Sequence, residues 1–422
     1  MVNKYKLSFR LLSEKSEILI VIEGQSFALD YFLQFCGIFG CSVENQSIKF
    51  QHVYKRTHEM IKKIDLILKD NNTKKLYPLR KFLIDIEPGK HFLFMPEKEL
   101  SDSEKLILQL DLKIMDGTSI ENEKLKLVRK DVIALTNIYE LNIIHPQEHL
   151  SSLGERVKSK RKCIYCGQTE AMGATFHQKA HAISEALGNK HVIQNEECDA
   201  CNNYFGKNIE PCFANNLSAF RVIYGVSGSN GVPHYKLKNK GNLERQGEAT
   251  VIQVCSENIN TQSTLESLKL CFGPKINPLN IYKSLVKFAY GVLPPKYRCD
   301  LIRTVKWLRY GESFGKLPQI RTLLNNKMFQ SEPIITNYIR KDNNYELPFI
   351  VSEFKFLMLT FITIIPYSVK DNNLFINDND LDKFIDLLPH IKSLKSNIRL
   401  RDYSRDAFVN YELNLNFKQV EK

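Results

Sequence analysis

Apolar positions in the first part of the chain form one continuous run and several stretches with helical spacing. The run EILIVIEG at residues 17–24 is rich in β-branched residues and bounded by charge and glycine, which predicts a buried strand. Apolar residues three or four positions apart predict amphipathic helices in four segments. These segments are residues 54–69, 76–86, 104–115 and 130–141. A mainly helical N-terminal region is therefore expected.

The second half of the chain mixes the helical and the strand patterns. Helical spacing is present at residues 209–224, 277–292, 301–310 and 381–393. Strand-like runs are HYKLKNK, GEATVIQVC and LESLKLCFG, followed by residues 333–340 and 346–367. We therefore expect an α+β C-terminal region and, for the whole chain, a multidomain α+β fold.

The length of 422 residues predicts two or three domains. Between residues 151 and 162 the sequence SSLGERVKSKRK loses its apolar pattern, as expected of a linker or an exposed arm. We predict an N-terminal region at residues 1–155, a central domain at 156–235 and a C-terminal region at 236–422.

The charge balance favours a polyanionic partner. The chain has 59 Lys and Arg against 47 Asp and Glu, a net charge of +12, and a pI near 9.0. Nucleic acid is the leading partner and an acidic membrane surface the second, although a Lys-rich composition alone also gives a basic chain. Five basic residues of the arm are candidate phosphate contacts, or simply a solvated face: Arg156, Lys158, Lys160, Arg161 and Lys162.

The apolar runs and the cysteines together predict a cytoplasmic protein without a membrane partner. Charges interrupt every apolar run near the start, and the most apolar stretch, residues 354–367, contains a lysine and ends near a proline. It is predicted to be a buried strand. Ten cysteines in a chain of this length are too sparse for a disulfide scaffold, so reduced thiols are expected.

Two Cys-x-x-Cys pairs lie in the centre of the chain, within residues 162–206. Each pair can supply two thiolates from a tight turn, and four thiolates complete the tetrahedron of a structural Zn²⁺ site. A redox motif would need only one pair. The predicted ligands are Cys163, Cys166, Cys198 and Cys201.

The spacer between the pairs indicates more than a zinc knuckle. Residues 175–183 are strand-like, a turn at Gly188 and Asn189 follows, and a second apolar run, KHVI, precedes a predicted helix at 199–209. Strand, loop, strand and helix, with His181 on the first strand and Asn202 on the helix, can hold a metal-bound phosphate.

This segment resembles the HNH endonuclease family, in the subgroup whose ββα-metal finger is held by two zinc knuckles. The matching pieces are CIYCG, AHAISEALGNK and ECDACNNYFG, in roughly 50 residues. The resemblance implies that His181 is the general base, that Asn202 contacts a catalytic divalent metal, Mg²⁺ or Mn²⁺, and that Asn195 orients the histidine.

One position departs from the family pattern. Many members have an acidic metal ligand immediately before the base histidine, where this chain has Ala180. Glu185, Glu210 and His177 are candidate replacements, and each also has an ordinary structural interpretation.

The leading hypothesis is a metal-dependent endonuclease that hydrolyses DNA, in the defence or mobile-element context typical of such fingers. The alternative is a zinc-stapled nucleic-acid-binding or regulatory protein whose finger is degenerate and inactive. RNA as the substrate is a third hypothesis.

Overall fold

A computed structural model describes most of the chain. The described residues are 5–24, 34–44, 47–70, 76–96, 99–145, 151–237, 241–253, 267–325 and 329–416. The chain divides into two compact units, Met1–Asn137 and Ile138–Lys422. Helices and several sheets are mixed, which confirms the α+β fold class. The division into three regions stays a prediction.

The first unit is richer in helix than in strand, but an antiparallel sheet organises its core. Its strands are β1 (Tyr5–Leu12), β2 (Glu17–Gly24), β3 (Ser42–Glu44), β4 (Ser47–Lys49), β5 (Val53–Lys55) and β6 (His91–Pro96). Its helices are α1 (His58–Asp70), α2 (Tyr77–Asp85), α3 (Asp102–Asp116) and α4 (Ser119–Ile138). The sheet order is β2-β1-β6-β5, and the phenylalanines Phe9, Phe35 and Phe94 pack against one another beside it.

Two sequence predictions in this part of the chain are refined. The predicted strand at 17–24 is β2, but it lies at the sheet edge and leaves Leu19 45% exposed. The helix predicted at 130–141 ends at Ile138, because Tyr139–Ile144 forms a strand (β7) that pairs with residues 335–340. Pairing between distant segments overrides the local helical spacing there.

After β7, the strands of the second unit are β8 (Ser151–Leu153), β9 (Val192–Gln194), β10 (Tyr235–Lys236), β11 (Asn242–Gln246), β12 (Ala249–Gln253), β13 (Ser267–Ile276), β14 (Ile320–Leu324), β15 (Gln330–Arg340), β16 (Ile350–Leu357), β17 (Leu359–Ile364), β18 (Ile398–Arg401) and β19 (Val409–Asn416). Five of these strands and β7 form the large sheet of this unit, in the order β18-β14-β17-β16-β15-β7. The helices of the unit are α5 (Asp199–Asn208), α6 (Glu210–Asn216), α7 (Ser218–Ile223), α8 (Pro278–Gly291), α9 (Ile302–Tyr310), α10 (Asp382–Ile385) and α11 (Pro389–Lys392).

Three predicted elements of this unit are each divided into two elements in the structure. The strand-like run at 346–367 is the hairpin β16–β17, which turns at Leu357 with a left-handed φ of 55°. The helix predicted at 209–224 divides into α6 and α7 around Leu217, and the last helix divides at Pro389 because proline cannot continue the hydrogen-bond ladder. Among the described helices, none is both long and apolar enough to cross a membrane.

Helix α8 lies between the large sheet and the cysteine-rich segment. Asn277 caps it by accepting a hydrogen bond from the Leu279 amide, and every residue from 281 to 291 is buried. On one side Tyr282 Oη donates to the Ile364 carbonyl of the sheet. On the other side the Gly291 carbonyl accepts from Gln194 Nε2, and Tyr290 Oη donates to the Ile164 carbonyl. The helix therefore holds the cysteine-rich segment against the core.

Candidate functional site

The four predicted cysteine ligands form one compact cluster. The sulfur atoms of Cys163, Cys166, Cys198 and Cys201 all lie within 4.8 Å of one another, and Cys166 Sγ is 3.7 Å from Cys198 Sγ. A tetrahedral site with Zn–S bonds of about 2.3 Å has sulfur atoms about 3.8 Å apart, so this spacing fits a metal ion of that size. The cluster is positioned to bind a metal ion.

The first cysteine turn has the local geometry of a metal knuckle. Gly167 adopts a φ of 74°, which glycine reaches without a side-chain clash, and its amide donates to the Cys163 carbonyl. The Cys163 amide in turn donates to the Gln168 carbonyl. Both cysteines of the turn are thus presented from one tight loop.

One side chain from outside the cysteine-rich segment contacts the cluster. Arg309 Nε of α9 donates to Cys201 Sγ at 3.3 Å, and its guanidinium lies 4.4 Å from the ring centre of Tyr204. A neighbouring cation stabilises a thiolate and reduces the negative charge of a four-thiolate site.

The spacer between the cysteine turns is less regular than predicted. Residues 175–183 do not form a strand; only His181 makes an isolated antiparallel bridge, to Ile193. The second strand is confirmed as β9, and it pairs in parallel with β8. The irregularity has a local cause, because the Asp199 carboxylate accepts from the amides of His177 and Gln178 and bends the chain there. The predicted helix is confirmed as α5.

His181 lies half-buried at the edge of an open cleft of about 440 Å³. Its Nδ1 is buried and has no hydrogen-bond partner among the described residues, whereas its Nε2 is 3.8 Å from Glu185 Oε2. Burial lowers the pKa of His181 below its ordinary value, and the Glu185 charge only partly opposes this effect. The imidazole is therefore neutral near pH 7.

The backbone of His181 is anchored by Lys287, a fully buried lysine of α8. Its Nζ donates to the His181 carbonyl at 2.9 Å and forms ion pairs with Glu210, at 2.9 Å, and Glu197, at 3.3 Å. Burial works against the charge of Lys287, but attraction to both carboxylates leaves its pKa raised. Burial also raises the pKa of Glu197 to about 7, so Glu197 is partly protonated near neutral pH.

Three asparagines of the segment have different surroundings. Asn202, on the first turn of α5, lines the cleft, and its Nδ2 donates to Gln178 Oε1. Asn195 donates instead to Ser152 Oγ, so its predicted role in orienting His181 stays a prediction. The buried Asn189 joins the loop after His181 to β9, because its side chain donates to the Ile183 carbonyl and accepts from the Val192 amide.

The three candidates to replace the acidic ligand absent at Ala180 differ in whether they line the cleft. Ala180 is 2% exposed, so its position faces the interior. Glu185 and Glu210 both line the cleft with His181 and Asn202, whereas the exposed His177 is not among the lining residues. The side chains that give this cleft its chemistry are Lys179, His181, Glu185, Asn202, Glu210 and Arg221.

Comparison with known proteins identifies the segment that contains these features. Residues 163–218 match the model of a family described as HNH endonuclease. We call this segment the HNH domain, after the family that it matches. The match covers a small part of the chain, and neither the curated proteins nor the solved structures gave a match.

The basic arm lies directly before the HNH domain. Lys158–Lys160 forms a short 3₁₀ helix, and four of the five predicted side chains are exposed. The exception is Arg161, which is half-buried and donates to the carbonyls of Glu155 and Arg156. Its guanidinium is partly used inside the protein, whereas the other four cations face solvent.

Three residues around the HNH domain were not singled out from the sequence: Asn189, Arg221 and Lys287. Lys287 has a sequence signal, since it is a charged residue in the middle of the apolar helical segment 277–292. Asn189 was assigned only to a turn. Arg221 lies in an ordinary amphipathic pattern and gives no local signal.

Proposed function

We propose that this protein is a metal-dependent endonuclease that hydrolyses phosphodiester bonds in DNA, with His181 as the general base. One observation carries the proposal: His181, Asn202 and two carboxylates line a single cleft in the HNH domain, beside the four-cysteine cluster. A base, metal ligands and an open approach for a phosphate are the parts that this hydrolysis needs.

The surroundings of His181 suit the role of base. The depressed pKa keeps the imidazole neutral, so a ring nitrogen is able to accept a proton from the attacking water. The hydrogen bond from Lys287 to the His181 carbonyl fixes the backbone, and Glu185, 3.8 Å from Nε2, stabilises the imidazolium that forms. The proton then leaves to solvent through the open cleft.

The cleft also offers a fitting donor set for a hard divalent cation. The amide oxygen of Asn202 and the carboxylates of Glu185 and Glu210 are oxygen donors of the kind that Mg²⁺ and Mn²⁺ prefer. Glu185 is the better replacement for the acid absent at Ala180, because Glu210 is already paired with Lys287. When bound, such an ion stabilises negative charge on the phosphate and on the leaving oxygen.

The four-cysteine cluster has a structural role in this proposal. A Zn²⁺ ion held by four thiolates has no open position for substrate. Its contribution is to fix α5, which carries Asn202 one residue after Cys201. The positions of the metal ligand and of the base therefore depend on an intact cluster.

The expected substrate is DNA, bound with little sequence preference. The exposed cations of the arm, Arg156, Lys158, Lys160 and Lys162, are placed to contact phosphates, which position a duplex without reading its bases. A role in defence or in a mobile element remains part of this proposal, as does RNA as a competing substrate.

The test is a plasmid-nicking assay with Mg²⁺ or Mn²⁺ on the wild-type chain and on His181→Ala. Loss of a general base should lower the nicking rate by about 10²- to 10⁴-fold, with zinc content and thermal unfolding unchanged. His234→Ala is the matched control, because His234 is exposed and outside the cleft. A nicking rate in His181→Ala close to that of the wild-type chain would refute the assignment.

The same assay separates the degenerate, regulatory alternative. That alternative predicts salt-dependent DNA binding with no nicking by the wild-type chain under any divalent metal. It is not favoured, because two carboxylates line the same cleft as His181 and Asn202 and can replace the acid absent at Ala180.

A further inference from the structure

Arg221 is a buried arginine at the cleft of the HNH domain. It lies on α7, just beyond the segment that matches the family model, and is only 7% exposed. It nevertheless lines the same cleft as His181, Asn202 and Glu185. Its charge therefore faces the space in which a substrate would lie.

The guanidinium of Arg221 has no acidic partner in the part of the chain that the structure describes. Nη1 donates to the hydroxyl of Tyr235 at 3.1 Å, and Nε is buried without a hydrogen-bond partner. No carboxylate of the described residues forms an ion pair with it. Burial lowers the pKa of Arg221, and the only opposing contribution comes from Tyr235. An arginine keeps its charge even so, because its ordinary pKa is above about 12.

Among the other buried cations in the described part of this unit, three are ion-paired, whereas Lys283 lies 5.4 Å from the ring centre of Trp307 and does not line the cleft. Lys287 contacts two carboxylates, Arg321 is 3.6 Å from Asp382, and Arg340 is 3.5 Å from Asp371. A buried charge without an opposite charge is costly, so its presence needs a compensating function.

Gly228 shows where the guanidinium is relative to the base. A Cβ atom at Gly228 would lie 3.7 Å from Arg221 Nη2 and 3.5 Å from the Glu185 carbonyl oxygen. Glu185 opens the short turn that follows His181 along the chain. Arg221 is thus next to the loop that joins the base to β9.

We propose that Arg221 binds a phosphate of the nucleic-acid substrate in this cleft, and this assignment rests on the proposed nuclease function. The planar guanidinium can donate two parallel hydrogen bonds to phosphate oxygens. The substrate phosphate supplies the negative charge that no described carboxylate of the protein supplies to Arg221. A purely structural role would not need the charge, since the bond to the neutral Tyr235 can be made by an uncharged donor.

The experiment uses the full chain with Arg221→Gln and Arg221→Lys. In single-turnover cleavage, Arg221→Gln should lower the rate by about 10²-fold, while Arg221→Lys, which keeps the charge, retains part of it. Binding of a fluorescein-labelled DNA duplex is measured in the His181→Ala background, with Ca²⁺ in place of Mg²⁺, across a range of salt concentrations. Removing one phosphate contact should reduce the slope of log affinity against log salt by about 1.

Stability distinguishes this role from a structural one. Arg221→Gln should leave the urea midpoint unchanged or raise it, because it removes an uncompensated buried charge. Arg321→Gln is the matched control: it removes a buried guanidinium that is paired with Asp382, and neither residue lines the cleft, so it should lower the midpoint and leave the salt slope as it was.

The outcomes also separate this inference from the proposed function. If the wild-type chain cuts DNA and Arg221→Gln cuts equally well with an unchanged salt slope, Arg221 does not bind substrate. If the wild-type chain cuts nothing, the nuclease proposal fails, and the salt slope alone decides whether Arg221 contacts a phosphate. A duplex RNA of the same sequence, added as competitor, shows which nucleic acid makes the contact.

Discussion

The cysteine cluster and the cleft belong to one HNH domain but differ in how fully the chain satisfies their polar groups. In the cluster, four sulfur atoms face one another, and Arg309 supplies a further hydrogen bond. In the cleft, His181 Nδ1 and Arg221 Nε are buried without hydrogen-bond partners among the described residues. The first site has the ligands that a metal ion needs, whereas the second has polar atoms that are free to bond to the proposed substrate.

From this difference we expect the cysteine cluster to stabilise the fold of the domain and the cleft to carry its proposed activity. A closed four-thiolate site contributes directly to folding, and its loss should be felt throughout the domain. An open cleft with unpaired groups contributes little to stability, and changes there should alter activity with the fold intact. The following predictions test that separation, beginning with the largest effect.

The largest effect is expected for Cys198→Ser. Three thiolates and a hydroxyl hold zinc poorly, so zinc content should fall from about one ion per chain toward zero, and the HNH domain should lose its fold and its nicking activity. Metal analysis and thermal unfolding measure the two effects. The exposed Cys299→Ser is the control, and equal zinc loss in both variants would contradict the assigned ligand set.

Lys287→Met should have the next largest effect, on stability. It leaves Glu197 and Glu210 without their buried cation, which should cost about 3–5 kcal/mol of unfolding free energy. Trp307, the single tryptophan, is buried in the same unit, so its fluorescence in urea reports the change.

The pH dependence sharpens this test. The loss should be smaller at pH 6 than at pH 8, because protonation below the raised pKa of Glu197 removes a charge that Lys287 balances. Lys296→Met, which breaks the exposed pair with Glu140, should cost at most about 1 kcal/mol and serves as control. An equally small loss for Lys287→Met would show that the buried group is not an ion pair.

The smallest effect concerns the pKa of His181. Burial lowers this pKa and Glu185 raises it, so Glu185→Gln should lower it further. A group with a depressed pKa stays neutral to lower pH, so nicking by the wild-type chain should fall only below the ordinary histidine value of about 6.5. An NMR titration of the imidazole without added Mg²⁺ measures both variants; an upward shift in Glu185→Gln would contradict the assigned charge effect.

The sequence predicts those parts of the site that depend on short-range spacing. The four cysteines lie in two tight turns, so their spacing alone indicates a metal cluster. Asn202 follows directly because it shares α5 with Cys201, and Cys198 is the N-cap of that helix. The strand expected at 175–183 is wrong because a single side chain, Asp199, captures two amides that a strand would have used. Alternating apolar residues do not reveal that competition.

The remaining contacts come from far along the chain and have no local pattern. Lys287 reaches the His181 carbonyl across 106 positions, and Arg309 reaches Cys201 across 108. The same holds for β7, which pairs with β15 although its residues have helical spacing. Such contacts depend on how the segments fold together, and a single sequence does not encode them in any short window.

The burial of helix α8 limits how this HNH domain can be exchanged between proteins. A domain whose stabilising contacts all lie within its own sequence could be transferred to another protein as an independent unit. Here a fragment that stops before residue 278 would lack the lysine that anchors the His181 backbone, the Tyr290 hydroxyl that bonds to Ile164 and the Gly291 carbonyl that bonds to Gln194. The smallest portable form of the proposed active site therefore includes α8, and a transplant without it should yield a cysteine knuckle with a disordered His181.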